Sequence, residues 1–275
     1  MKTTTQQKSF GTLAFTLIEL LTVIAIIAIL AAIILPVLSV ATTHAKKTRA
    51  ATEIAQIVSG IQQYESQYSR MPVSPAVQSS GLPNVTYGGV FNNKAGQKWP
   101  PVSTYFVPGA TTGNYVPSNT DVMAILMNFT NYPGTTTWTI NTNYQKNPQQ
   151  TVFLKAAPSG NTTAPGYGTD LNYRDPWGNP YIITMDLNED DKAEDMFYSS
   201  PTVSSVTHIT GGTALVGLIC QPKANGGDGY YIYHGNVMVW SMGPDGPVNS
   251  APSSFDTNSL ATDGPNKQHI LSWQQ

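Results

Sequence analysis

The sequence predicts an α+β fold: a long N-terminal helical spine, apolar in its first half and amphipathic in its second, packed on a C-terminal antiparallel β-sheet with long loops. Three observations carry this. Phe15–Leu35 reads FTLIELLTVIAIIAILAAIIL, an apolar run whose polar members are Thr16, Thr22 and Glu19. Ala50, Ile54, Ile57, Val58, Ile61, Tyr64 and Tyr68 then recur at three- and four-residue spacing, the mark of a helix with one buried face. Last, Thr151–Leu154, Tyr181–Leu187, Ala214–Cys220, Tyr230–Tyr233 and Val237–Met242 have strand composition.

As a helix the apolar run spans roughly 31 Å, the thickness of a bilayer's hydrocarbon core. A charge inside it costs at least ~2.5 kcal/mol and is functional by default. Glu19 therefore needs a cation, and a cut just before Phe15 would supply one as a free amino terminus. Past Pro36 the helix resumes to about Ser69, with Lys46, Lys47, Arg49, Glu53, Gln56 and Gln63 on its other faces. Gly60 weakens it locally, and Met71-Pro72 with Pro75 stops it. Residues 72 to 170 read as a loop-rich insertion, with one short helix at Thr120–Phe129 capped by Asn119 or Thr120.

The aromatics Trp99, Tyr105, Phe106, Tyr115, Tyr132, Trp138 and Tyr144 are expected to hold these loops down, with a glycan-binding surface as the competing reading. Farther on, His234-Gly235-Asn236 reads as the turn of a hairpin. Asp175-Pro176-Trp177-Gly178-Asn179-Pro180 reads as a rigid corner: the prolines fix two φ angles, Gly178 permits a conformation others resist, and Trp177 anchors the turn in the core.

Composition narrows the function. The 275 residues carry a net charge of −2 and only 11% charged side chains. No Lys/Arg cluster suggests a nucleic-acid surface. The single cysteine, Cys220, follows an apolar run and reads as a small buried hydrophobe, so no internal disulfide can form. His44, His208, His234 and His269 are isolated, and no nucleophile, metallohydrolase or phosphate-loop motif occurs. The chain is not expected to be an enzyme. Asp186-Leu187-Asn188-Glu189-Asp190 places oxygen side chains at alternate positions, the opening of an EF-hand-like loop, and makes Asp186, Asn188 and Asp190 candidate Ca²⁺ ligands. The competing reading is a solvated acidic turn, since Asp191 stands where Gly normally turns the loop and Phe197 where Glu closes it. Glu194 or Asp195 would have to substitute.

Ala14-Phe15-Thr16-Leu17-Ile18-Glu19 and the apolar helix after it resemble the N-terminus of type IV prepilins and type II secretion pseudopilins. The resemblance implies cleavage between Ala14 and Phe15 by a membrane-embedded prepilin peptidase, N-methylation of Phe15, and pairing of Glu19 with the amino terminus of a neighbouring subunit. Ala14 departs from the family's usual Gly. Pro36 falls where family helices commonly kink. Asp175–Tyr181 is similar to a signature of the type II secretion major pseudopilins, and Trp240–Gly246 with Ile270–Trp273 to their closing loop and terminus. That family also holds Ca²⁺ before its C-terminus, which makes Asp245 and Asp263 a second candidate pair, with Asn266 as helper.

The organisation so implied is a leader at 1–14, a transmembrane and filament-core helix at 15–36, its amphipathic continuation at 37–70, and a head at 71–275. The partners implied are other pilin or pseudopilin subunits, the peptidase and the inner-membrane assembly platform. The location implied is the bacterial inner membrane with a periplasmic head, then a filament. Two plainer readings compete: a cleaved secretory signal ending at Ser39-Val40-Ala41, and an ordinary single-span anchor. Lys46, Lys47 and Arg49 after the span outweigh Lys2 and Lys8 before it, which taken alone would place the head in the cytoplasm. A type IV pilin with an adhesive head and a membrane-anchored periplasmic carbohydrate-binding protein are the functional alternatives.

Overall fold

The computed structural model describes residues 16–92, 98–108, 113–205, 214–221, 229–245, 260–262 and 264–274. The chain divides into two compact units, Met1–Ala45 and Lys46–Gln275, and the boundary falls within helix α1 (Leu17–Tyr68). In the first unit α1 continues through Pro36 without a break, so the expected interruption there is absent. Proline has no N–H to offer the carbonyl of Ala32, and that hydrogen bond is lost locally.

In the second unit α1 buries Ala50, Glu53, Ile54, Ile57, Gly60, Ile61 and Tyr64. This is the predicted stripe with two additions, Glu53 and Gly60, while Val58 and Tyr68 of the stripe are only half-buried against the core. A Cβ on Gly60 would stand 3.0 Å from the carbonyl oxygen of Phe153, so the glycine lets a neighbouring segment approach closely instead of merely weakening the helix. Glu53, expected on a solvent face, is 8% exposed.

The head continues through α2 (Pro75–Gln78), β1 (Asn84–Tyr87), β2 (Phe91–Asn92), β3 (Lys98–Trp99), β4 (Tyr115–Val116) and α3 (Thr120–Leu126). Then come β5 (Gly166–Tyr167), β6 (Tyr173–Arg174), β7 (Ile182–Asp186), β8 (Lys192–Ala193), α4 (Pro201–Ser204) and β9 (Ile219–Gln221). The last elements are β10 (Tyr230–His234), β11 (Val237–Ser241) and β12 (Ile270–Leu271). The main sheet has the order β12-β11-β7-β1-β4. Its β1/β4 pair is parallel and the others antiparallel, so the sheet is mixed where an antiparallel one was expected.

Every residue of β7 and β11 is buried, and alternate side chains leave on opposite faces. Ile183, Met185, Val237 and Val239 meet Ile54, Ile57 and Ile61 of α1 in one core. Ile182, Met238 and Trp240 meet Phe197, Tyr198 and Tyr231 in a second. A helix covers one face and an aromatic layer the other, beside a smaller sheet of order β8-β10-β9.

Several expectations are corrected here. The β10–β11 hairpin does not form: β10 pairs with β8 and β9, and β11 with β7 and β12. Val237–Ser241 is buried at every position and so takes an interior place in the main sheet, whereas β10 is only partly covered. Thr151–Leu154 is extended but unpaired; the N–H groups of Phe153 and Leu154 instead donate to the carbonyl of Leu126, satisfying the C-terminal end of α3. From Ala214–Cys220 only the last two residues join a strand, because Val216 and Gly217 turn the chain at φ 50 and 76. Residues 72 to 170 are no mere insertion, since they supply β1, β4 and the buried helix α3.

Of the aromatics in that region Tyr115 is fully buried, Phe106 and Tyr132 pack on the first core, and Tyr105 packs on the second. Trp138 stands 60% exposed. The scatter of these described side chains fits loop anchoring. Cys220 is a free thiol, half-buried in β9 opposite Tyr231.

Candidate functional site

Ala14 and Phe15 lie outside the described residues. Immediately beyond them, Glu19 Oε2 accepts from the backbone N–H of Thr16 at 2.8 Å and from its hydroxyl at 2.7 Å, while Thr16 Oγ1 accepts from Glu19 N at 3.3 Å. This is a capping box at the start of α1: each side chain satisfies an N–H that the helix cannot. The sequence carries the signal as Thr16-x-x-Glu19, and it was missed because Glu19 was weighed only as a charge in an apolar run. By length and composition α1 is able to cross a membrane. Leu17, Ile18, Leu20, Ile33, Leu35 and Val40 are all exposed, an apolar surface that calls for lipid or neighbouring helices.

In the head, the corner and the segment around Trp240 form one site. Asp175 is fully buried; its Oδ1 accepts from Trp177 N and Asn179 N, both at 2.9 Å. Its Oδ2 accepts from Ser241 Oγ at 2.6 Å and Asn179 Nδ2 at 3.4 Å. The turn closes through Gly178 N to Asp175 O at 2.9 Å, with Pro176 pre-setting φ and Gly178 at φ 91. Asn179 Nδ2 also donates to Gly243 O at 3.4 Å. Gly243 sits at φ 72, where a Cβ would lie 2.2 Å from the carbonyl oxygen of Gln268. Two segments more than sixty residues apart are thus bolted together through Asp175. Trp177, expected to anchor the turn, is half-buried and joins neither core; the carboxylate does that work, with Pro176 buried and Pro180 half-buried beside it.

A second buried carboxylate is Asp195, which sequence reading placed only as a spare calcium ligand. Its Oδ2 accepts from Thr184 Oγ1 at 2.6 Å and Trp240 Nε1 at 3.1 Å, and its Oδ1 from Phe197 N at 2.9 Å and Tyr198 N at 3.0 Å. Trp240 stacks on the His269 ring at 4.9 Å, and Tyr198 Oη lies 2.7 Å from His269 Nδ1. On the other face of the sheet, Glu53 accepts from Arg49 Nε at 2.8 Å and from Tyr181 Oη at 2.5 Å, tying α1 to the residue just after the corner.

The acidic loop is a turn whose donors point inward. Asp186 Oδ1 accepts from Asn188 N at 3.1 Å and Glu189 N at 3.2 Å, and Oδ2 from Asp191 N at 2.9 Å. Asn188, with its amide turned to suit its neighbours, donates to Pro83 O and Asp186 Oδ1. Asp190 pairs with Lys192 at 3.4 Å. Asp191 takes φ 57 where an EF-hand has Gly. Asp186 and Asn188 thus close the turn on itself, and Asp190 is engaged by Lys192. Asp263 and the side chain of Asp245 lie outside the described residues, while Asn266 donates to Leu260 O. Among the described residues no group of three His, Cys, Asp or Glu side chains is placed to hold a metal.

Burial pushes the Asp175 carboxyl up to about 6, against the opposing hydrogen bond from Ser241, and burial likewise raises Asp195. Both exceed their unfolded values, so the folded head binds protons more tightly than the unfolded chain. The stability they contribute is present at acid pH; that of Asp175 is lost as pH rises through about 6, and that of Asp195 as pH rises through its own raised value. Asp170 opposes them at the acid end. Its desolvation is outweighed by hydrogen bonds from Arg174 and Asn172, which hold it below the ordinary carboxylate range; its contribution disappears as pH falls through that lowered value. The head should melt at a higher temperature at pH 5 than at pH 7.5, and Asp175→Asn should flatten that slope. Calorimetry finding the higher melting temperature at pH 7.5 would contradict the assignment.

No family model, curated protein or solved structure matches this chain.

Proposed function

We propose that the chain is a structural subunit of a type II secretion pseudopilus or related type IV filament, cut between Ala14 and Phe15 and assembled through α1. The observation that carries this reading is the start of α1: a single carboxylate, Glu19, opens a helix whose first half is otherwise apolar and exposed and is long enough to span a bilayer. Two features of the head support it. The Asp175–Pro180 corner and the Trp240–Gly243 segment, each similar to a pseudopilin motif, meet through Asp175–Ser241 and Asn179–Gly243 hydrogen bonds. An amphipathic half of the same helix packs into the core of an α+β head.

Mass spectrometry of the mature N-terminus tests the proposal. N-methylated Phe15 is the expected first residue. A chain beginning at Thr42 would point to ordinary signal cleavage, and an intact Met1 to a plain anchor; either would overturn it.

A further inference from the structure

The head holds a pair of cations that no carboxylate among the described residues neutralises. Lys146 is 5% exposed, and its Nζ donates to a single acceptor, Gln78 Oε1 at 3.2 Å. Arg70 lies beside it: Nη2 donates to the backbone carbonyl of Lys146 at 3.3 Å, and the guanidinium carbon is 5.8 Å from the centroid of the Tyr68 ring. The Nε of Arg70 is buried without a hydrogen-bond partner. Burial first, and the charge of Arg70 second, hold the Lys146 ammonium below its ordinary range.

Carboxylates that might have balanced these charges are committed elsewhere. None of the ion pairs among the described residues includes Arg70 or Lys146. Glu65, on the last turns of α1, accepts from Asn236 Nδ2, and the charges it feels are Glu189, Asp186 and Asp191. Of the nearby hydroxyls, Tyr64 donates to Lys146 O and faces the Arg70 guanidinium with its lone pairs, and Tyr68 donates to Asn147 Oδ1 and accepts from Gln149 N. The C-terminal end of α1 stands two residues before Arg70, but its half charge does not match two cations. Among the described residues the buried Nε–H of Arg70 has no acceptor, and the three-proton ammonium of Lys146 has one.

We propose that Arg70 and Lys146 form a binding site for a small dianionic oxyanion of the phosphate or sulfate class. The guanidinium offers N–H donors in a fixed fork that matches two oxygens of a tetrahedral anion, and the ammonium supplies a point charge to a third. Gln78, itself exposed, covers the ammonium and swings aside when the anion enters. A water molecule would satisfy the orphan donor but not the charge, so the site distinguishes a dianion from both water and chloride.

The test uses the full-length chain in detergent, with unfolding followed by tryptophan fluorescence in sodium phosphate, sodium sulfate or sodium chloride at matched ionic strength and pH. Phosphate and sulfate are expected to raise the melting temperature in a saturable way over the millimolar range, and chloride is not. Arg70→Gln and Lys146→Met should each abolish the saturable component. Lys146→Met should not lower the melting temperature in chloride, because it replaces an unneutralised buried charge with an apolar chain of similar length. Equal melting curves in all three salts would overturn the site. So would a saturable rise that persists in both variants.

Discussion

Replacing Asp175 by alanine should lower the stability of the head by about 3–5 kcal/mol, read as a fall in the urea midpoint at unchanged slope. Four donors converge on this carboxylate: Trp177 N, Asn179 N, Asn179 Nδ2 and Ser241 Oγ. Truncation leaves Trp177 N, Asn179 N and the Ser241 hydroxyl without this acceptor, while Asn179 Nδ2 keeps Gly243 O; each group so orphaned costs about 1–3 kcal/mol, less where it can reach water. The loss spreads beyond the corner because Ser241 ends β11, the strand whose side chains fill both cores. Asp175→Asn keeps the acceptor for the two backbone N–H groups and should cost only about 1–2 kcal/mol. Ser241→Ala should cost about as much, and the double variant less than the sum of the two, since both changes break one contact. A measured loss below about 1 kcal/mol for Asp175→Ala would show that the corner is held by its prolines and glycine alone.

How much of this was legible depends on how local each signal is. The second half of α1 could be read because Ile54, Ile57, Ile61 and Tyr64 repeat at the helical period and nothing breaks the pattern. Glu53 was misplaced on a polar face because its partner, Tyr181, arrives from 128 residues away. The corner was legible as a turn, since Pro176 and Gly178 constrain their own backbone, but its anchor was not. Large aromatics draw attention as anchors, whereas Asp175 works through N–H groups two and four residues ahead, a local pattern open to reading, and through Ser241, which is not.

The strands β1 and β4 are short and sit among Gly, Pro and Asn, so composition alone reads them as loop; tertiary pairing, of β1 with β7 and of β4 with β1, makes them sheet. Asp186 and Asp195 lie in one acidic stretch and look alike in sequence. One closes its own turn, and the other bonds Thr184 and Trp240 across the second core. Only the path of the chain separates those two roles.

Glu19→Gln should leave membrane insertion and leader removal near wild type and reduce filament yield by more than about tenfold. Two roles converge on this side chain, and the substitution separates them. Within the chain, Glu19 completes a capping box with Thr16, and Gln serves that role nearly as well as Glu. In the proposed filament it neutralises the amino terminus of Phe15 on a neighbouring subunit, which Gln cannot do. Removing one partner of a buried ion pair costs about 3–5 kcal/mol, because the other charge is left desolvated and alone. That loss recurs at every subunit added, so assembly suffers far more than the single chain. Thr16→Val is the complementary change. It breaks the box at a cost of about 0.5–2 kcal/mol while keeping the charge, and it should leave filaments close to normal. Quantified by electron microscopy and by shearing of surface fibres, the pair of variants gives opposite answers for the two roles. Normal filaments from Glu19→Gln together with a defect in Thr16→Val would assign Glu19 to the helix cap and remove the electrostatic basis of the proposed assembly. The reverse pattern places the energy of subunit registration on a charge that the sequence alone makes conspicuous, whose neighbours are apolar apart from Thr16, bonded to Glu19 itself, and Thr22, bonded to the Glu19 carbonyl.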